Sequence, residues 1–185
     1  MEITDNTLYL ADISVERLMQ EYGSPLYVYE ESVLRSQFRQ LSSGFPQGLL
    51  EIHYSMKANS NPSLLKILLE EGSSIDAVSE FEVRLALESG FEPQQIIFTG
   101  NNNTLAEIEF CVEQNVAVNL GSLALLEIYG QRYPQTTVSV RVNPGIGAGH
   151  HSHCITGGPD SKFGIYHDQI ENAFALAKKY KLTLN

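Results

Sequence analysis

Basic residues are scarce in this 185-residue chain: 12 Lys plus Arg stand against 22 Asp plus Glu, for a formal net charge of -10. That balance argues against a nucleic-acid or anionic-membrane partner. No block of like charge stands out, so the acidity reads as solvated faces that favour solubility. Long apolar runs are missing as well, and none approaches the ~20 residues of a membrane span. Met1-Glu2-Ile3-Thr4-Asp5 carries acid where a secretory signal needs base, so the expected compartment is the cytoplasm. Cysteine is nearly absent. Cys111 and Cys154 lie far apart without paired-ligand spacing, which implies neither a disulfide framework nor a zinc knuckle and suits a reducing compartment.

What the chain does have is a repeated pattern. Residues 1–24 form a polar lead-in with a short helix expected at Val15 to Tyr22, stopped by Gly23 and Pro25. From residue 25 onward strand-like and helix-like stretches alternate. The expected order is a strand at Leu26 to Tyr29, a helix at Glu31 to Leu41, a strand at Leu49 to Met56, and a helix at Pro62 to Glu71 capped by Asn61. Four further pairs follow: Ser74–Val78 with Glu80–Ser89, Ile96–Thr99 with Leu105–Gln114, Ala117–Leu120 with Ser122–Tyr129, and Val138–Asn143 with His167–Tyr180. Short strands each followed by a helix of about three turns require a parallel sheet covered by helices, an α/β fold.

An open doubly wound sheet and a (βα)8 barrel both fit that rhythm. Polar residues collect at the C-terminal ends of successive strands: Lys57, then Asp76 and Ser79, Thr99 with Asn101, Asn119 with Ser122, and Arg141 with Asn143. A barrel gathers such ends around one mouth, whereas an open sheet strands the outer ones, so the barrel is favoured. Five barrel strands are counted, and Lys181 to Asn185 reads as the entry to a sixth. A closed barrel takes eight in ~250 residues. The expectation is therefore the N-terminal part of a longer protein.

The strand ending at Lys57 carries the first chemistry. Alternation places Ile52, Tyr54 and Met56 on one side and His53, Ser55 and Lys57 on the other. An amine stripped of water at the mouth of a half-polar interior is suited to forming a Schiff base with an aldehyde. Elsewhere, Asn103 or Thr104 is expected to cap a helix, and Cys111 beside Phe110 and Val112 to pack in the core. Gly149-His150-His151-Ser152-His153-Cys154 invites a zinc reading. Adjacent histidines do not easily face one ion, so no metal is expected and the segment reads as an active-site loop. Gly145-Ile146-Gly147-Ala148-Gly149 mimics a nucleotide fingerprint but lacks the helix that would give it meaning.

Taken together, Tyr54-Ser55-Met56-Lys57-Ala58-Asn59, Ile75-Asp76-Ala77-Val78-Ser79 with Glu82, Ile97-Phe98-Thr99-Gly100, Arg141-Val142-Asn143-Pro144, Thr156-Gly157 and Ser161-Lys162-Phe163-Gly164-Ile165 form an ordered set. The set resembles the alanine-racemase-like, pyridoxal-phosphate-dependent decarboxylases of fold-type III. Within that group the loop between Pro144 and Lys162, with His151, is most similar to the diaminopimelate decarboxylases and unlike the ornithine enzymes. One departure is Glu80-Phe81, where those enzymes usually carry glycines.

The resemblance implies a pyridoxal 5'-phosphate-binding TIM-type barrel, here about five βα units over residues 25–185, with a C-terminal β-domain beyond this chain. It implies a cytoplasmic homodimer acting on a small amino acid, most closely meso-diaminopimelate, which is decarboxylated to L-lysine. Lys57 is then the catalytic residue that bonds the cofactor; Asp76 and Glu82 line the cofactor side of the mouth, Arg141 lies near the ring, and Lys162 lies near the dimer interface. The phosphate-binding loop, the pyridine-nitrogen partner, a stacking histidine and the β-domain's cysteine and tyrosine are expected after Asn185. Alternatives are a decarboxylase of another diamino acid, a racemase of the same fold, and a non-catalytic pyridoxal-binding homologue.

Overall fold

The structure, a computed structural model, describes residues 1–46, 48–148 and 155–185, and the His150 to Cys154 stretch weighed as a metal site lies outside them. The chain divides into two compact units, Met1–Leu50 and Glu51–Asn185.

The first unit opens with an antiparallel meander that sequence reasoning did not anticipate: β1 (Glu2–Thr4), β2 (Thr7–Leu10) and β3 (Ile13–Ser14). Its first turn is Asp5-Asn6, both at positive φ, the two-residue geometry that matches the twist of a hairpin. Helix α1 (Val15–Tyr22) starts where Ser14 Oγ accepts from Arg17 N at 3.2 Å, and Gly23 at φ 84° ends it. The expected strand at Leu26 to Tyr29 does not form. All four side chains are exposed and no neighbouring edge pairs with them, so their strand-like composition has nothing to act on. Helix α2 (Glu31–Ser43) closes this unit.

The second unit is built from βα repeats. In chain order it contains β4 (His53–Ser55), α3 (Pro62–Glu70), β5 (Ser74–Ala77), α4 (Glu80–Glu88), β6 (Ile96–Phe98), α5 (Leu105–Glu113), β7 (Ala117–Leu120), α6 (Leu123–Arg132), β8 (Thr137–Val140), β9 (Val142–Asn143), β10 (Ile165–Tyr166), α7 (Ile170–Tyr180) and β11 (Thr183–Leu184). Asn61, Ser79, Thr104 and Ser122 each accept a backbone N–H at a helix start, the caps that a polar residue ahead of an apolar helix provides.

Six strands make one parallel sheet in the order β4-β5-β6-β7-β8-β11. Chain order and spatial order coincide, with no reversal at which an open doubly wound sheet would switch direction. That is the arrangement of a (βα)8 barrel, and the expected sixth strand is present as β11 beside β8.

Two strands are shorter than the sequence suggests. The lysine strand is only His53–Ser55, and Met56–Ala58 turns into a 3-10 helix that carries Lys57 off the strand. The Val138 to Asn143 stretch breaks at Arg141, whose carbonyl accepts from Ile165 N at 2.7 Å and diverts Val142 and Asn143 to pair with β10.

The register assigns the two sheet faces. Ile75, Ile96 and Tyr54 sit level, as do Ala77 with Phe98 and Val118, and these residues face α3 to α7. Phe98, Ile75, Leu65, Val83 and Leu126 there are fully buried, each burial stabilising the fold by about 1.5–3 kcal/mol. The other face carries Ser55, Asp76, Ile97, Asn119 and Ser139, all partly exposed. Among the described residues, no helix is long and apolar enough to cross a membrane.

Candidate functional site

The polar face concentrates its chemistry at the C-terminal ends of β4 to β8, and Asp76 is its best-fixed charge. Ser55 Oγ donates to Asp76 Oδ2 at 2.6 Å from the strand on one side, and Thr99 Oγ1 donates to Asp76 Oδ1 from the other. Both partners are placed by the sheet itself, since β4 and β5 pair Ser55 with Asp76 and Thr99 N bonds Ala77 O at 2.8 Å. Two hydroxyl donors on one carboxylate fix its orientation.

Lys57 follows Met56, which is 1% exposed, so the 3-10 turn pins one residue in the core and presents the next to solvent. The amine expected to be stripped of water is instead exposed, on a 3-10 turn that begins at Met56, where the strand was expected to continue. Around it, Tyr54 OH donates to Asn59 O at 3.0 Å, and His53 stands between Ile75 O at 3.3 Å and the Glu51 carboxylate at 3.3 Å. These contacts fix the strand-to-turn junction from which Lys57 projects.

Glu82 is spent partly on the backbone. Its Oε2 accepts from Val78 N at 2.7 Å while Ser79 Oγ accepts from Glu82 N at 3.2 Å, tying the end of β5 to the first turn of α4. Phe81, at the departure from the family's glycines, is 68% exposed on that turn and leaves both bonds intact.

Arg141 lies on the far side of the same face, after β8. Its guanidinium stacks on the Phe163 ring at 4.5 Å and its Nη2 donates to Thr156 O at 3.3 Å. Lys162 Nζ shares that ring at 5.6 Å. The loop is anchored by Asn143, 1% exposed, whose side chain donates to Gly158 O at 3.1 Å and accepts from Gly145 N and Gly158 N at 3.0 Å. Gly164, at φ 83°, brings Phe163 into place; a Cβ there would sit 3.0 Å from Arg141 O and Asn143 N.

The structure thus brings Ser55, Asp76 and Thr99 together, sets Glu82 on the adjoining turn, and holds Arg141 three strands away from Asp76 on the same face. Sequence reasoning missed Phe163 and Asn143 as the supports of Arg141. Their signal was the Ser161-Lys162-Phe163-Gly164 motif, whose ring and glycine act only when folded onto β9. Among the described residues no group of three or more His, Cys, Asp or Glu is placed to hold a metal ion.

Comparison with known proteins places these features in a lineage. The family described as "Pyridoxal-dependent decarboxylase, pyridoxal binding domain" matches residues 31–185. The chain is 39% identical over 181 residues to the diaminopimelate decarboxylase of Methanothermobacter thermautotrophicus, covering 96% of this chain and 42% of that protein. It is 40% identical over 177 residues to that of Staphylococcus aureus, covering 93% and 41%. The crystal structure of diaminopimelate decarboxylase from Helicobacter pylori complexed with L-lysine superimposes with a TM-score of 0.83 at 32% identity, over 92% of this chain and 44% of that one. The chain spans about two-fifths of the length of the curated relatives it matches.

Proposed function

We propose a function from one premise: the chain belongs to the pyridoxal-dependent decarboxylases, as their pyridoxal binding domain. The activity assigned to the full-length protein is decarboxylation of an amino acid, meso-diaminopimelate to L-lysine and CO2, with pyridoxal 5'-phosphate as cofactor. The observation that carries it is Lys57, presented at the end of the first strand of the barrel sheet, in a chain 39–40% identical to proteins named diaminopimelate decarboxylase.

The residues present fit such a cofactor. An exposed primary amine stands on the polar face's rim, an oriented carboxylate occupies the next strand, and Asn119 Oδ1 is buried there without a donor among the described residues. Lys57 would hold the cofactor at its aldehyde carbon through Nζ. When bound, pyridoxal supplies an electron sink for the charge left on carbon as CO2 departs.

Asp76, held by Ser55 and Thr99, keeps a fixed negative charge one strand from Lys57, which favours cationic nitrogen at the mouth. Glu82 lines the same side, with Oε2 bound to Val78 N. Arg141, locked on Phe163, places a cation opposite Asp76 and orients an anionic group of the ligand. Lys162, exposed beside Phe163, lies toward a second subunit of a cytoplasmic homodimer.

The test is direct. Full-length protein loaded with pyridoxal phosphate should release CO2 and L-lysine in equal amounts from meso-diaminopimelate. Ornithine or arginine turned over at rival rates would replace the substrate assignment. Racemisation without CO2 would replace the reaction class.

A further inference from the structure

Asn119 Oδ1 is one of two buried side-chain polar atoms without a hydrogen-bond partner among the described residues. The other, Ser89 Oγ, belongs to the C-cap of α4, away from the sheet. A buried acceptor left without a donor destabilises a fold, so its retention asks what fills it.

Its position answers in part. β7 and β8 pair Asn119 with Ser139, which puts it on the polar face, the face of Asp76. Along β7 and across on β8 its neighbours on that face are small, while on the β6 side Ile97 pairs with Ala117. Ala117 precedes it by two residues and Gly121 follows by two, with Ser139 directly across. Gly121 does not have a positive φ, so its backbone conformation does not demand glycine. A Cβ there would meet nothing closer than Gly164 N at 3.9 Å and Asn101 Oδ1 at 4.0 Å. An unmet acceptor flanked by a glycine position that would take a Cβ at ordinary contact distance marks a place on the polar face that this chain leaves without a side chain.

We infer that Asn119 is a cofactor-binding residue, its Oδ1 accepting a hydrogen bond from the hydroxyl of the pyridoxal ring. The inference rests on the functional reading above. It follows from the unmet acceptor and the small residues beside it on β7 and β8, between Asp76 on β5 and Arg141 after β8.

The experiment compares full-length protein with its Asn119→Leu and Asn119→Asp variants, each stripped of cofactor and then titrated with pyridoxal phosphate. Leucine matches the shape and removes the acceptor; aspartate keeps an acceptor. Asn119→Leu is expected to melt at or above the wild-type apoprotein temperature, because an unmet polar group has been removed, while the cofactor dissociation constant weakens roughly tenfold to a hundredfold. Asn119→Asp should hold the cofactor within about threefold of wild type. A lower apoprotein melting temperature for Asn119→Leu, or failure to fold, would overturn the inference by showing that Oδ1 has a structural partner elsewhere in the protein. Unchanged cofactor affinity in Asn119→Leu would overturn it too. If wild-type protein itself binds no pyridoxal phosphate, the functional reading fails, and that result is read from the wild-type titration alone.

Discussion

Ser55 and Asp76 face each other across β4 and β5 with a hydroxyl-to-carboxylate distance of 2.6 Å, and Thr99 closes the same carboxylate from β6. Because both hydroxyls serve one anion, their contributions are not independent. Ser55→Ala or Thr99→Val alone should destabilise the protein by about 1.5–3 kcal/mol, the range for hydrogen bonds to charged groups, with the low end expected at this part-buried site. The double variant should depart from the sum by about 0.5 kcal/mol or more in a denaturation cycle. Strict additivity would show that the two donors do not share Asp76 in solution.

Lys57 is the amine at the rim of the polar face, and borohydride reduction of the cofactor-loaded full-length protein should fix the label there. Peptide mapping that places it on Lys66 or Lys162 would refute the assignment. Lys57→Ala should abolish turnover with little change in folding, since the side chain is exposed and Met56 supplies the packing at that turn.

Gly130 makes an unusual prediction for a helix interior. Replacing glycine by alanine in a helix usually stabilises by about 1 kcal/mol. Here a Cβ would lie 2.5 Å from Tyr180 Cδ2 and 2.9 Å from Tyr180 Cβ, where α6 and α7 pack against each other. The atoms in the way include the root of the tyrosine side chain, which moves only with its helix. Gly130→Ala should therefore lower stability by about 1–3 kcal/mol, measured by chemical denaturation. A stabilised variant would mean that the two helices stand farther apart.

Cys111 is buried in α5, and that burial, with Glu107 and Glu80 adding repulsion, pushes its thiol pKa up to about 12. The reactive thiolate is then nearly absent at neutral and mildly alkaline pH. Alkylation of native protein at pH 8 should spare Cys111, and unfolding in denaturant should expose it. Peptide mapping that finds it modified in native protein would contradict its place in the core.

Helix starts and strand order were legible in the sequence because they depend on near neighbours. Asn61, Ser79, Thr104 and Ser122 cap helices within three residues of themselves, and Ala117–Leu120 is a strand from end to end. Strand ends were not legible. Met56 to Ala58 reads like a continuation of β4 but turns where the sheet stops pairing, and Val142 leaves β8 because Ile165 captures the Arg141 carbonyl from 24 residues away. The β1–β3 meander was hidden for another reason: its turns use Asp5, Asn6 and Ala11 at positive φ without a glycine. In the site, Lys57, Asp76, Glu82 and Arg141 carried motifs, whereas Phe163, Asn143 and the unmet Asn119 acquire their roles only through long-range contacts.

The coincidence of strand order with chain order also shapes how the sheet can assemble during synthesis. His53 and Ser74, Ile75 and Ile96, Ile97 and Ala117, and Asn119 and Ser139 are paired at separations of 20 or 21 residues. Each of these four pairings closes a loop of nearly constant length and nearly constant entropic cost, and only β11, which pairs Thr183 with Thr137, waits for a more distant segment. A nascent chain leaving the ribosome at about 5–20 residues per second offers a new strand to the growing edge every few seconds. Asp76 can find both Ser55 and Thr99 as soon as the third strand arrives. Arg141 has to wait longer: Phe163, which holds it, lies beyond the loop that returns to β10. The two ends of the polar face are thus completed at different times, the carboxylate before the guanidinium.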